Sequence, residues 1–333
     1  MYTDEDLNFA IEKGIFKATS VEEFRSLLSS SRNSPSVDEE NFRLIGGFND
    51  IFIVIACTLL LFSSLWILKS INSSLGFLVF TILSWGLSEF FVLKRQMALP
   101  AIALLLSFIG GIFSLSISFF STLSGISFVI ATAISTIAAY CHWVRFNVPI
   151  TIAVGTAAGV GVLVSVTLTI FPGAKDWLLV ILFICGLIAF LFAMYWDSSD
   201  TNRITRRSDV AFWLHLLSAP LIIHPVFLSL GILNGNESLG SMAVVLVLYL
   251  LMTSISIAID RRVFMVSSLV YVLYALSSLI KTYGGVGYSF ALTGVFMGGV
   301  LLLLSAYWHR VRAYLVTRLP DFAKENLPKI KVA

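Results

Sequence analysis

The sequence predicts an all-α, polytopic transmembrane helical bundle of about ten spans, preceded by a short N-terminal helical hairpin, and three observations carry that prediction. Hydrophobic residues fill 58% of the 333 positions, only 12% are charged, and the mean hydropathy is +0.93. No soluble domain of this length is built from that mixture. The apolar residues fall into runs about long enough to cross a hydrocarbon core of roughly 30 Å at 1.5 Å per residue. Lysine and arginine concentrate in alternate connections between those runs.

Residues 1–47 read as a hairpin and a linker. Thr3-Asp4-Glu5-Asp6 resembles a capping box that opens a short helix ended by Gly14, and Ser20-Val21-Glu22-Glu23 opens a second through about Leu28. Val21, Phe24, Leu27 and Leu28 give that second helix one apolar face. The Ser/Pro/acidic stretch from Ser29 to Asn41 has the composition of a flexible linker. Because the opening residues are polar and acidic, they do not read as a cleavable signal peptide.

The membrane domain is expected over 48–308, with spans at 49–69, 74–93, 99–119, 123–141, 149–171, 176–196, 209–231, 240–259, 263–281 and 286–308. Only Ser, Thr and Phe divide the third span from the fourth, so counts of nine and eleven stay open. A basic tail, 309–333, follows. Lys94, Arg95, Arg145, Arg203, Arg206, Arg207, Arg261, Arg262 and the arginines and lysines of the tail share one side, against Lys69, Lys175 and Lys281 on the other. By the positive-inside rule both termini are cytoplasmic. Tyr140-Cys-His142-Trp-Val-Arg145 and Tyr307-Trp-His309-Arg-Val-Arg312 end two spans alike, which raises a duplication of spans one to four as seven to ten. Positive-inside charges and aromatic belts would produce the same likeness without it.

Ionisable groups inside apolar spans are costly and are functional candidates by default. Asp50, Asp176 and Asp209 each open a span, where a carboxylate meets the positive helix end, so capping explains them. Glu89 lies close enough to the basic end to pair with Lys94 or Arg95. In the seventh span His215 and His224 sit about 9 Å and about 22 Å beyond Asp209. Pro220 and Pro225 lack the N–H that would bond the carbonyls of Leu216 and Leu221, which predicts a kink with free acceptors. Free carbonyls beside imidazoles suit a polar substrate or proton pathway, with His215, His224, Glu89 and Asp209 as its candidates. The alternative is a pair of neutral histidines bonded to neighbouring helices, since nine residues place them on opposite faces of a straight helix. Arg203, Arg206 and Arg207, beside Tyr195 and Trp196, could contact anionic lipid or substrate, or pair with the local aspartates.

Gly155-xxx-Gly159 and Gly294-xxx-Gly298 read as close helix crossings. His142 and His309 look interfacial, and Cys57, Cys141 and Cys185 look like buried thiols. There is no HExxH, no glycine-rich phosphate loop, and Thr122-Leu-Ser124-Gly125 lacks the first glycine of GxSG, so no enzyme, cofactor or metal is expected. The small net charge of +3 gives no reason to expect nucleic acid as a partner. Expected partners are membrane lipids, a small solute or ion, a homo-oligomer, or a cytoplasmic protein recruited by the hairpin.

TRRSDVAFWLHLLSAPLIIHP, GGFNDIF at Gly46 to Phe52, KRQMALP at Lys94 to Pro100 and the closing WHRVRAYLVTRLP resemble an uncharacterised family of bacterial multi-pass inner-membrane proteins. AIEKGIFKATSVEEFRSLL is similar to the two-helix segment that precedes the spans in related membrane proteins. The resemblance implies class and location, and no site residues. The expectation drawn from the residues is a transporter or permease for a small solute or ion, with a non-transporting scaffold as the alternative.

Overall fold

The computed structural model describes residues 9–17, 19–24, 48–123, 125–201, 203, 205–231, 239–284, 287–324 and 327–328. The chain divides into two units, Met1–Phe42 with Lys331–Ala333, and Arg43–Ile330. In the first unit, residues 9–12 and 19–24 are helical. Gly14 adopts the left-handed φ of 69° that ends a helix without a Cβ penalty, and Val21 is buried. The second helix already includes Ser20, so Ser20 is not its N-cap. The expected capping box at Thr3 and the linker lie outside the described residues.

The second unit is an all-α bundle whose ten long apolar helices make the protein a multi-pass membrane protein. They are α1 Phe48–Ile71, α2 Ser73–Ser88, α3 Ala98–Phe119, α4 Ile126–Phe146, α5 Ile150–Ile170, α6 Leu178–Ser198, α7 Arg206–Ser229, α8 Leu239–Ala258, α9 Val263–Gly284 and α10 Ser289–Thr317, with a short α11 at Asp321–Lys324. Local chemistry sets the joints. Asn72 caps α2 by accepting from the Leu75 N–H, Asn147 ends α4 in the left-handed region, and Gly125, at φ 83°, makes the turn into α4 that composition marked least clearly. Asp50 does lie in the first turn of α1. Asp176 sits instead in a 3₁₀ turn, Pro172–Trp177, ahead of α6. α7 opens at Arg206 with Thr205 as its N-cap, so Asp209 lies within the first turn and is not the cap.

Packing separates the ten helices into two groups. Helices α1 to α5 pack among themselves around Phe80, Leu104, Leu105 and Phe108, and α6 to α10 pack around Ile223, Phe227, Phe264 and Tyr271. The groups meet chiefly where α5 lies against α6 and α7, along Ala153, Ala193, Val210 and Leu214 with Trp143, Trp196 and Trp213 beside them. Small residues on two of the three helices let the backbones approach. The expected likeness of spans one to four and seven to ten extends to part of the packing: α1 on α3, α2 on α3 and α3 on α4 recur as α7 on α9, α8 on α9 and α9 on α10, whereas the contact of α1 along α2 has no comparable counterpart between α7 and α8. The matched joints also bury opposite residues, His142 but not Arg145 in one, Arg312 but not His309 in the other.

α7 runs without interruption from Arg206 to Ser229, with Pro220 and Pro225 inside it. Gly186 of α6 presses on it there, where an added Cβ would come within 2.8 Å of the carbonyl carbon of Leu221, the residue whose oxygen Pro225 leaves without an intrahelical donor. Gly155 faces Ala139, but a Cβ on Gly159, Gly294 or Gly298 would meet nothing within 4 Å, so the glycines of α10 mark no crossing inside the bundle.

Candidate functional site

A buried ionic network at the basic end of α6 to α10 is the strongest concentration of polar chemistry among the described residues. Asp197 closes α6, and the connection to α7 is folded by Asp200, whose Oδ2 accepts from the Thr205 amide at 2.8 Å and its hydroxyl at 2.7 Å. Thr205 in turn accepts from the Arg207 amide. That compact connection puts Arg203, at φ 55°, against the α8–α9 turn, where Asp260 takes φ 57° and the Arg261 amide bonds back to the Ser256 carbonyl.

Three arginines and two aspartates meet there. Arg261 donates to Asp197 Oδ1 at 2.8 Å and to the carbonyl and hydroxyl of Ser208 at 3.1 Å each. Arg203 donates to Asp260 Oδ2 at 3.1 Å and to the carbonyls of Ile259 and Asp260 at 3.0 and 3.2 Å. Trp308 of α10 donates its indole N–H to Asp260 Oδ1 at 2.7 Å, and Arg312 stands 3.8 Å from the same oxygen while donating to the Pro328 carbonyl. All five charged side chains are at most 10% exposed. The network therefore ties α6, α7, the α8–α9 turn and α10 into one block, in a setting where removing one partner strands a charge.

Of the sequence candidates, His215 joins this block. It is fully buried between Phe190 and Phe264, with Nε2 3.5 Å from Asp197 Oδ2, and neither ring nitrogen makes a hydrogen bond within the protein. Asp209 is half-buried in the first turn of α7. Arg203 turns inward onto Asp260, so it does not share the exposed surface of Arg206 and Arg207. His224 lies elsewhere, exposed on the α7 surface and hydrogen-bonded to Tyr271, whose ring stacks on Phe227. Both histidines nonetheless touch α9, through Phe264 and Tyr271, which lie seven residues apart on one face.

Glu89 is not part of this region. It opens a π-helical segment, Glu89–Lys94, that continues α2, and Arg145 of α4 grips it with two bonds of 2.9 and 2.7 Å. Its partner is therefore Arg145, while Lys94 and Arg95 lie over the Phe90 ring. One turn before Arg145, His142 is fully buried against Trp85, Phe108 and Phe146, with Thr151 3.3 Å from Nδ1. It is a core residue of the bundle. Cys141 is exposed, unlike Cys57 and Cys185.

In the sequence Arg261 and Arg312 read as topology markers, Asp197 only as one of the local aspartates that Arg203 could pair with, from which it now lies 3.8 Å, and Asp260 and Trp308 do not stand out. The available signal was two aspartates at span ends, each close in sequence to arginines. Among the described residues no group of three or more His, Cys, Asp or Glu side chains could hold a metal. Comparisons with family models, curated proteins and solved structures gave no match.

Proposed function

We propose that the protein is a membrane transporter for a small solute or ion, working by rocking of the α1–α5 group against the α6–α10 group about the α5–α7 seam. The observation that carries this reading is the division of the bundle into two internally packed groups joined along one narrow line of contact. Transporters commonly place their sites between two such halves and move one against the other. The ionic network supports the reading by making the second group a block able to move as a unit. His215, beside Asp197, is the group in it best placed to take part in a polar step. The proposed setting is a bacterial inner membrane, with the basic end and both termini in the cytoplasm.

The test is cysteine labelling at Ala153 and Leu214, each replaced singly in a protein freed of Cys57, Cys141 and Cys185. A rocking seam admits a membrane-impermeant maleimide from each side in turn, and a static one protects both positions from both sides. One observation favours a scaffold instead, the division of the chain into a unit of Met1–Phe42 with Lys331–Ala333 and a second of Arg43–Ile330. Deleting residues 1–40 separates the readings: a transporter keeps seam labelling, whereas a scaffold loses its partner.

A further inference from the structure

We propose that the basic end of α10 is a docking stripe for anionic phospholipid. α10 is 29 residues long, and about 20 suffice to cross the hydrocarbon core, so its last nine or so residues project past the apolar boundary. From the last apolar turn outward along that projection to the C-cap, Tyr307, Arg310, Tyr314 and Arg318 fall at i, i+3, i+7 and i+11, one face of the helix, and all four are exposed. The guanidinium of Arg310 lies 5.6 Å from the Tyr307 ring centre and that of Arg318 lies 3.9 Å from the Tyr314 ring centre. Among the described residues neither arginine has an ion-pair partner, and the sequence from Leu301 to Pro320 contains no acid.

Geometry places these groups at headgroup level. Helical side chains lean toward the N-terminus, which on α10 is the membrane side, so each arginine reaches back to the tyrosine one turn below it. The two guanidinium groups are consequently about 10 Å apart along the axis, within the headgroup layer or just beyond it. A guanidinium held over an aromatic ring keeps N–H groups that the ring does not engage, and these match phosphate oxygens. The tyrosines supply the amphipathic surface that interfacial aromatics favour. This surface is distinct from Arg206 and Arg207 at the start of α7.

Native mass spectrometry of delipidated full-length protein, titrated with phosphatidylglycerol or phosphatidylcholine, tests the proposal. The wild type is expected to prefer phosphatidylglycerol, and R310Q/R318Q to bind it about 30-fold more weakly, while phosphatidylcholine binding stays constant. Y307L/Y314L, which keeps both charges and removes the rings, is expected to lose part of the preference. R206Q/R207Q should leave the preference in place, and millimolar inorganic phosphate should not displace the lipid. An unchanged preference in R310Q/R318Q, its loss in R206Q/R207Q alone, or displacement by inorganic phosphate would each overturn the assignment. Unaltered thermal unfolding of R310Q/R318Q separates lost lipid binding from lost fold.

Discussion

Arg261 reaches from the α8–α9 turn to Asp197 at the end of α6, 2.8 Å from guanidinium nitrogen to carboxylate oxygen, with the two side chains 3% and 0% exposed. A pair so deeply buried is costly to break from one side. Asp197→Asn and Arg261→Met are each expected to destabilise the protein by about 3–5 kcal/mol, because the first leaves Arg261 buried without its carboxylate and the second leaves Asp197 with only Arg203, 3.8 Å away. Asp197→Asn/Arg261→Met should cost clearly less than the sum of the two single losses. Reversible unfolding in mixed micelles reads all these variants, and additive losses would mean that the pair is not coupled.

Gly186 and Gly298 make opposite predictions from the same substitution. At Gly186 an added methyl collides with the α7 backbone, which has no flexible end to yield, so Gly186→Ala is expected to cost about 1–3 kcal/mol. At Gly298 the methyl enters open space and improves helix propensity, so Gly298→Ala should be neutral or slightly stabilising. Equal melting shifts for both would contradict the close α6–α7 contact.

The Glu89–Arg145 pair is well shaped but exposed, with side chains 35% and 54% accessible. Exposed ion pairs contribute little. Glu89→Gln is therefore expected to leave the melting temperature within measurement error. A large loss would show that the π-helical end of α2 depends on this contact.

Tyr271→Phe removes the hydroxyl bonded to His224 and keeps the ring stacked on Phe227. About 0.6–1 kcal/mol should be lost, the usual worth of one hydrogen bond between membrane helices. Tyr271→Ala, which also removes the buried ring, should cost several times more. If the two variants fall equally, the hydroxyl rather than the packing holds α7 to α9 at this depth.

The number of helices was readable because a helix must be long and apolar to cross lipid, and each run of this chain meets that condition by itself. The site was only partly readable, since it depends on contacts far apart in sequence. Arg203 and Asp260 are 57 residues apart and Arg261 and Asp197 are 64 apart, so no local pattern marks them as partners. His215 stood out because an imidazole inside an apolar run is conspicuous. Its neighbour Asp197 did not, because aspartates beside a basic loop are ordinary. How closely α7 is packed was not readable either: Gly186 of α6 meets its backbone at Leu221, a contact set by residues outside α7.

The proposed rocking of the two helix groups against one another is measured directly by distances between paired spin labels. One pair places a label at Arg95 in the first group and one at Arg207 in the second, and a control pair places both within the second, at Arg207 and Arg310. In liposomes the pair across the groups should give two distance populations, while the control gives one narrow population. A single narrow population for both pairs would contradict the account and leave a rigid bundle whose ionic network serves only to hold it together.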